Sequence, residues 1–351
     1  MADKDYMAKH SGSVTAYNQI PHFCTHAIEV FAELAERLPA RLGIVPDFEL
    51  LLCDLMRDAV KFLIPDNGYL FSDHDFRPSM FELLRLPYPL CALEFTATQE
   101  LHAAHSGLVH AAKRIVLCFD PWQLPPVQIA RLSRLARTPF LDDVPERCLA
   151  LMVVYEADGV WGAAVGVVFI DLDGDPPMTV EDARAKEIRS IADQVGTRLK
   201  TKGSVHGLPA SFRTFPARSE LVGQSREEAF EALYIDTMDE VRAAYEFLAA
   251  INCSNVGTQE LPAPKPLNEK RKKKGRPPFY AYKILDLSPA PAPGANPGAG
   301  GTHASPRAHL RRGHIRQLGE RYGNKTLWIN ATRVNMRAGG EDVSTVYKVK
   351  T

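Results

Sequence analysis

The sixteen residues HASPRAHLRRGHIRQL, from His303 to Leu318, carry three histidines and four arginines and no carboxylate. Guanidinium groups bind phosphate oxygens through paired hydrogen bonds, so Arg307, Arg311, Arg312 and Arg316 suit a polyanion better than four lysines would. Imidazoles among arginines are held toward their neutral form, which makes His309 and His314 acid and base partners for metal-independent phosphodiester cleavage. As a helix from Pro306, the block would set Arg312 and Arg316 one turn apart and turn His314 about 500° away from His309. A turn at Gly313 would instead let both histidines, with His303, face one groove.

A second basic run, KRKKKGRPP from Lys270 to Pro278, supports the same polyanion chemistry through Lys272, Lys273, Lys274 and Arg276. Its Lys-Gly-Arg-Pro core resembles an AT-hook, which implies Arg276 as the side chain inserted into the minor groove of A·T-rich DNA. The resemblance covers about nine residues and departs from the hook at Lys274, where arginine is usual. Trp328, in KTLWINATRV, offers a ring that could stack on a base or complete a core strand.

Other constellations are incomplete. His22, Cys24 and His26 would need alternate strand spacing to converge on zinc, but they open a helical pattern. His102, His105 and His110 share a broad helical face without a carboxylate or cysteine to complete a site. Asp171, Asp173 and Asp175 begin like a calcium loop and then lack its later ligands. No P-loop, GxGxxG or GxSxG is present. No metal site and no cofactor are implied.

The elements that must position these groups are legible from period. CTHAIEVFAELAERL and DFELLLCDLMRDAVKFL repeat apolar residues at helical spacing, with Asp47 placed to cap the second. CALEFTA, RIVLCFD, CLALMVVYEADG and VWGAAVGVVFIDLDG read as strands, with a hairpin at Ala157-Asp158-Gly159. PPVQIARLSRLARTP and TVEDARAKEIRSIADQVGTRLK read as helices. SREEAFEALY, opening on a Ser225–Glu228 capping box, and DTMDEVRAAYEFLAAIN read as two more. NVGTQEL, FYAYKILDL and KTLWINATRV read as strands. SPAPAPGANPGAGGT is low in complexity.

The formal net charge of +0 averages two unlike parts. Residues 1 to 264 hold 24 Lys+Arg against 37 Asp+Glu, a net of −13, and residues 265 to 337 hold 16 against 3, a net of +13. Such asymmetry suggests either a polyanionic partner for the basic part or docking of that part on the acidic one. The six cysteines are scattered, form no CxxC and sit mostly in apolar runs, as in a reducing compartment. No stretch approaches the roughly 20 apolar residues of a spanning helix, and the first residues lack an apolar run, so a cytoplasmic protein without a membrane partner is expected.

From Ala243 onward the succession AAYEFLAAINCSNV, PLNEKRKKKGRPPFYAYKIL, HASPRAHLRRGHIRQL and KTLWINATRV resembles a segment of uncharacterised phage and prophage proteins. There a basic Lys-Gly-x-Pro-Pro stretch leads into a strand, and a His-x-x-Pro-Arg-x-His-x-Arg-Arg-Gly-His block precedes a tryptophan strand. The resemblance spans about residues 240 to 337 and implies a phage origin and a host-cell setting, without catalytic residues to carry over.

The expectation is an α+β protein with N-terminal helices, a small, mostly antiparallel sheet and a basic C-terminal β-rich segment. It divides into a flexible N-terminus (1–20), an α+β domain (21–264), a basic segment (265–337) that completes or docks on the core and has a mobile loop at 288–302, and a loose tail (338–351). The expected function is binding of nucleic acid, DNA or RNA, or of another phosphate-bearing partner, through the basic C-terminal segment. The alternatives are a His309/His314 nuclease and a factor that acts on a host protein.

Overall fold

A computed structural model describes residues 20–37, 46–70, 78–97, 111–142, 144–173, 202–205, 208–216, 225–286, 309–311, 314–329 and 332–334. Helix α1 (Phe23–Arg37) buries Phe23, Cys24, Ala27, Ile28 and Phe31, the one-sided spacing its sequence announces. Helix α2 (Asp47–Asp58) is shorter than its apolar stripe suggested. Ala59 turns to extended backbone, and VKFL forms β1 (Val60–Leu63). Lys61 Nζ then donates to the Arg57 and Ala59 carbonyls at 2.8 and 2.6 Å, satisfying acceptors that the helix end leaves over. Asp47 does not cap α2. Pro46 holds that position, and the Asp47 carboxylate accepts Nε and Nη2 of Arg134 at 2.6 Å each.

The chain continues through a one-turn α3 (Pro78–Phe81), β2 (Leu90–Thr96), β3 (Ala111–Phe119), α4 (Pro126–Ala136), β4 (Cys148–Ala157), β5 (Val160–Ala163) and β6 (Gly166–Asp171). Asp158 and Gly159 both have positive φ, 51° and 82°, as the two-residue β4–β5 hairpin requires. Next come β7 (Lys202–Val205), β8 (Leu208–Thr214), α5 (Arg226–Ile251), β9 (Gly257–Leu261), α6 (Lys265–Lys272) and β10 (Tyr282–Asp286). The two helices expected between Ser225 and Asn252 are one. Its capping box is formed, and the Thr237 hydroxyl donates to the Leu233 carbonyl at 2.6 Å, so a polar residue is absorbed without a break.

The sheet is mixed and large rather than small. Ten strands join it, nine of them in the path β7-β8-β6-β4-β3-β2-β1-β10-β9, with β5 paired to β4. Pairs from β7 to β3 and β2 are antiparallel, whereas β1 runs parallel to both β2 and β10. Helices α1, α2 and α4 cover one face, and α5 covers the other. Within the basic segment, β10 completes the sheet, lying between β1 and β9. The 288–302 loop, the 338–351 tail and the helix read from Thr179 lie outside the described residues.

Two buried acids fasten the layers. Glu94 on β2, with no exposed surface, accepts the Phe23 and Cys24 amides of α1 at 2.8 and 2.9 Å and the Tyr282 hydroxyl at 2.7 Å. Burial raises its pKa against those hydrogen bonds. Glu240 on α5, equally buried, accepts from Arg114 on β3. Beside it, Arg242 Nε donates to Glu246 at 2.8 Å, and Glu246 also accepts the Leu70 amide at 2.7 Å.

Burial pushes Glu240 from an ordinary 4.5 up to about 7, outweighing the pull of Arg114. Folding thus favours the protonated form. This contribution to stability is complete below pH 4.5 and is lost as the pH rises through 7. Urea unfolding of the wild type should show the midpoint falling across that window, with a shallower fall in Glu240→Gln. Equal slopes in the two proteins would contradict this account.

Candidate functional site

The lysine run is the end of α6, and its turn is a built structure. The Gly275 amide donates to the Lys272 carbonyl at 3.1 Å and the Arg276 amide to the Arg271 carbonyl at 3.0 Å, with Gly275 at φ +65°. Those two bonds define a Schellman cap, which wants glycine because a side chain resists the left-handed conformation. Lys-Gly-Arg-Pro is here a helix stop, not the extended backbone that an AT-hook lays along a groove.

The stretch after the cap is pinned on both sides. Asn268 exchanges two hydrogen bonds with the Phe279 backbone, at 2.7 and 2.8 Å. Arg271 donates Nε to the Pro277 carbonyl at 2.5 Å and Nη2 to Glu29 on α1 at 2.6 Å, and its guanidinium lies 4.3 Å from the Phe279 ring centre. Thr25 donates to the Pro278 carbonyl at 3.0 Å, and His22 stacks on Phe279 at 4.2 Å. Burial lowers the pKa of the neighbouring His26. Arg276 also reaches Glu29, at 3.2 Å.

Lys270, Lys272, Lys273 and Lys274 project from this frame. All four are exposed, and none makes an ion pair among the described residues. Arginine 271, in the middle of the run, is the anchor. Its neighbours are the free charge.

The His/Arg block is placed elsewhere. Its described parts are not helical: β11 (His309–Arg311) pairs with β14 (Thr332–Val334), and β12 (His314–Gln317) pairs with β13 (Thr326–Ile329), while Arg312 and Gly313, where a turn was expected, lie outside the described residues. His309 and His314 thus stand on separate two-stranded ladders. Ile315 and Trp328 are register partners and join the core beneath α5, and Asn255 exchanges two bonds of 2.7 Å with the Trp328 backbone. Arg316, next to buried Ile315, is exposed. His303, Arg307 and Arg312 lie outside the described residues, as do the side chains of His309, Arg311 and His314.

Trp328, at 3% exposure, is a core residue and cannot offer its face to a base. Of the arginines in the second basic group only Arg316 has a described side chain. The lysine turn rests on α1 on one face of the sheet, whereas Ile315 and Trp328 pack on the α5 face.

A comparison of the chain with protein-family models, curated proteins and solved structures finds no match.

Among the described residues no group of three or more His, Cys, Asp or Glu could hold a metal ion. His22 and His26 flank the start of α1, where Cys24 is buried and its amide serves Glu94. Asp171 accepts the Asp173 amide at 3.0 Å and Asp173 pairs with Arg147 at 2.7 Å, a polar turn after β6. Asp175, His102, His105 and His110 lie outside the described residues. All six cysteines are buried free thiols. Among the described residues no helix is long and apolar enough to cross a membrane.

Three residues that build the site gave no separate signal in the sequence: Asn268, Arg271 and Glu29. The glycine after a run of helix-compatible basic residues was the available clue, since Gly at that position marks a helix C-terminus.

Replacing Trp328 by alanine should cost about 3–5 kcal/mol of stability, as for other buried aromatics. A urea titration yields the value. A change under 1 kcal/mol would return the ring to the surface.

Proposed function

We propose that the protein binds a phosphate-bearing polymer, with nucleic acid the leading partner, through the lysine turn at the end of α6. The observation that carries this reading is the division of labour in residues 270–276: Arg271 is spent on holding the turn, while four lysines around it stand exposed without a carboxylate partner among the described residues. A helix C-terminus attracts cations, which accounts for part of the run. Lys273 and Lys274 continue it past the final turn, on a rigid cap.

Such a surface attracts phosphates by releasing condensed counterions and reads no base sequence. Arg316 adds an exposed cation, and Arg307, Arg311 and Arg312 belong to the same basic block of the sequence. The C-terminal resemblance to phage proteins supports a phage origin and an intracellular host setting for this binding. The His309/His314 nuclease reading has only residue type behind it, since the two strands pair with different partners.

In gel shifts with the full-length chain, DNA or RNA should be retarded at low salt and released as salt rises. Changing Lys272, Lys273 and Lys274 together to glutamine should weaken binding across unrelated sequences. It should also make the slope of log K against log salt shallower by about 3 on duplex DNA. No shift at any salt concentration would remove the proposal.

A further inference from the structure

Arg271 and Arg276 share one oxygen of Glu29 but stand in different surroundings. Arg271 lies 2.6 Å from Oε1, is 11% exposed and is held in addition by the Pro277 carbonyl and the Phe279 ring. Arg276 reaches the same oxygen through Nε at 3.2 Å, is 57% exposed and has no second side-chain partner among the described residues. Glu29 is itself 22% exposed. The geometry points to Glu29 as an internal substitute for phosphate: its contact with Arg276 is a latch that an arriving polyanion opens, leaving the Arg271 contact in place. This inference rests on the polyanion reading of the lysine turn and adds a regulator to it.

The physical grounds are unequal holding strengths at one carboxylate. An exposed ion pair is weak and screened by salt, so Arg276 exchanges partners easily. A nearly buried guanidinium with three kinds of contact does not, because withdrawing its carboxylate would leave a desolvated charge. Opening the latch strands nothing, since Glu29 keeps Arg271. A phosphodiester can accept two parallel bonds from Arg276, whereas Glu29 engages it through Nε. The exposed lysines at 270 and 272–274 raise the local concentration of such an anion beside it. Glu29 therefore weakens polyanion binding specifically through Arg276.

The test is fluorescence anisotropy of a labelled DNA duplex at low salt with full-length wild type, Glu29→Gln, Arg276→Gln and the double variant. Glu29→Gln should tighten binding roughly five-fold, the upper range for an exposed pair, and Arg276→Gln in that background should abolish the gain. A gain that persists without Arg276 would be a general charge effect and would overturn the latch, as would no gain at all. Because Glu29→Gln also deprives Arg271 of a partner, the wild type supplies an independent measurement. Phenylglyoxal modification mapped by mass spectrometry should show Arg276 protected by the duplex and Arg271 unchanged, and equal Arg276 reactivity with and without duplex overturns the latch. Failure of the wild type to bind any duplex would sink the parent reading together with the latch, an outcome distinct from binding that Glu29 does not modulate.

Discussion

Glu94 holds together three parts of the chain that the sequence keeps far apart. From the centre of the sheet it ends the unsatisfied amides at the start of α1 and receives the hydroxyl of Tyr282, almost two hundred residues later. A buried carboxylate is costly unless its lone pairs are filled, and here backbone and side-chain donors fill them. The helix N-terminus adds favourable partial charge. Lys61, whose own pKa burial lowers, stands close enough to interact with it. The consequence reaches the candidate site, because α1 carries Thr25 and Glu29, and β10 continues the 277–279 stretch to which the α6 turn is bonded.

Seen from that anchor, the charge asymmetry has a mixed resolution. Docking on the acidic part accounts for Arg271 and Arg276, which meet Glu29, and for Lys283, which meets Glu260 at 3.4 Å. It does not account for Lys270, Lys272, Lys273 and Lys274. The acidic part also spends many carboxylates internally: Asp47 and Asp54 bind arginines of α4, and Glu240 and Glu246 bind arginines beneath or along α5. Net charge by segment therefore overstates what either part has free for the other. The basic segment is at once a strand of the core and a source of exposed cations, roles that composition averages into one number.

The legible features were those set by local pattern. The apolar stripe of α1, the β4–β5 hairpin at Asp158-Gly159 and the Ser225–Glu228 capping box follow from periodicity, φ preference and side-chain reach, all of which act within a few residues. Sheet size was not legible. Whether Tyr282–Asp286 forms its own small sheet or inserts beside β1 depends on a contact with Glu94 that no window contains. α2 was overextended because Ala59, Lys61 and Phe62 fit a helix as well as a strand, and tertiary pairing with β2 decided the matter. Lys-Gly-Arg-Pro was ambiguous for a similar reason, since the glycine a hook uses for close approach is also the glycine a helix uses to stop. Trp328 sits in a short apolar strand, a local cue to burial, and its partners are long-range: Ile315 across the ladder and Asn255 on the loop after α5.

The rigidity of the α6 turn bears on what kind of recognition it supports. Its backbone is ordered by the cap, by Asn268 and by Arg271, so a bound phosphate chain need not order the loop, and that saving favours association. The lysine side chains remain long and free, and each must lose rotamer freedom to hold one phosphate, a loss that offsets much of a single contact. On the proposed reading, binding would depend on several weak contacts acting together and would fall steeply with salt. Phe279, next to the lysine turn, is covered by His22 and Arg271, and Trp328 is in the core. On the proposed reading, phosphate donors without a stacking ring among the described residues would discriminate by charge density rather than by base identity, which would favour a duplex backbone over an unstacked single strand.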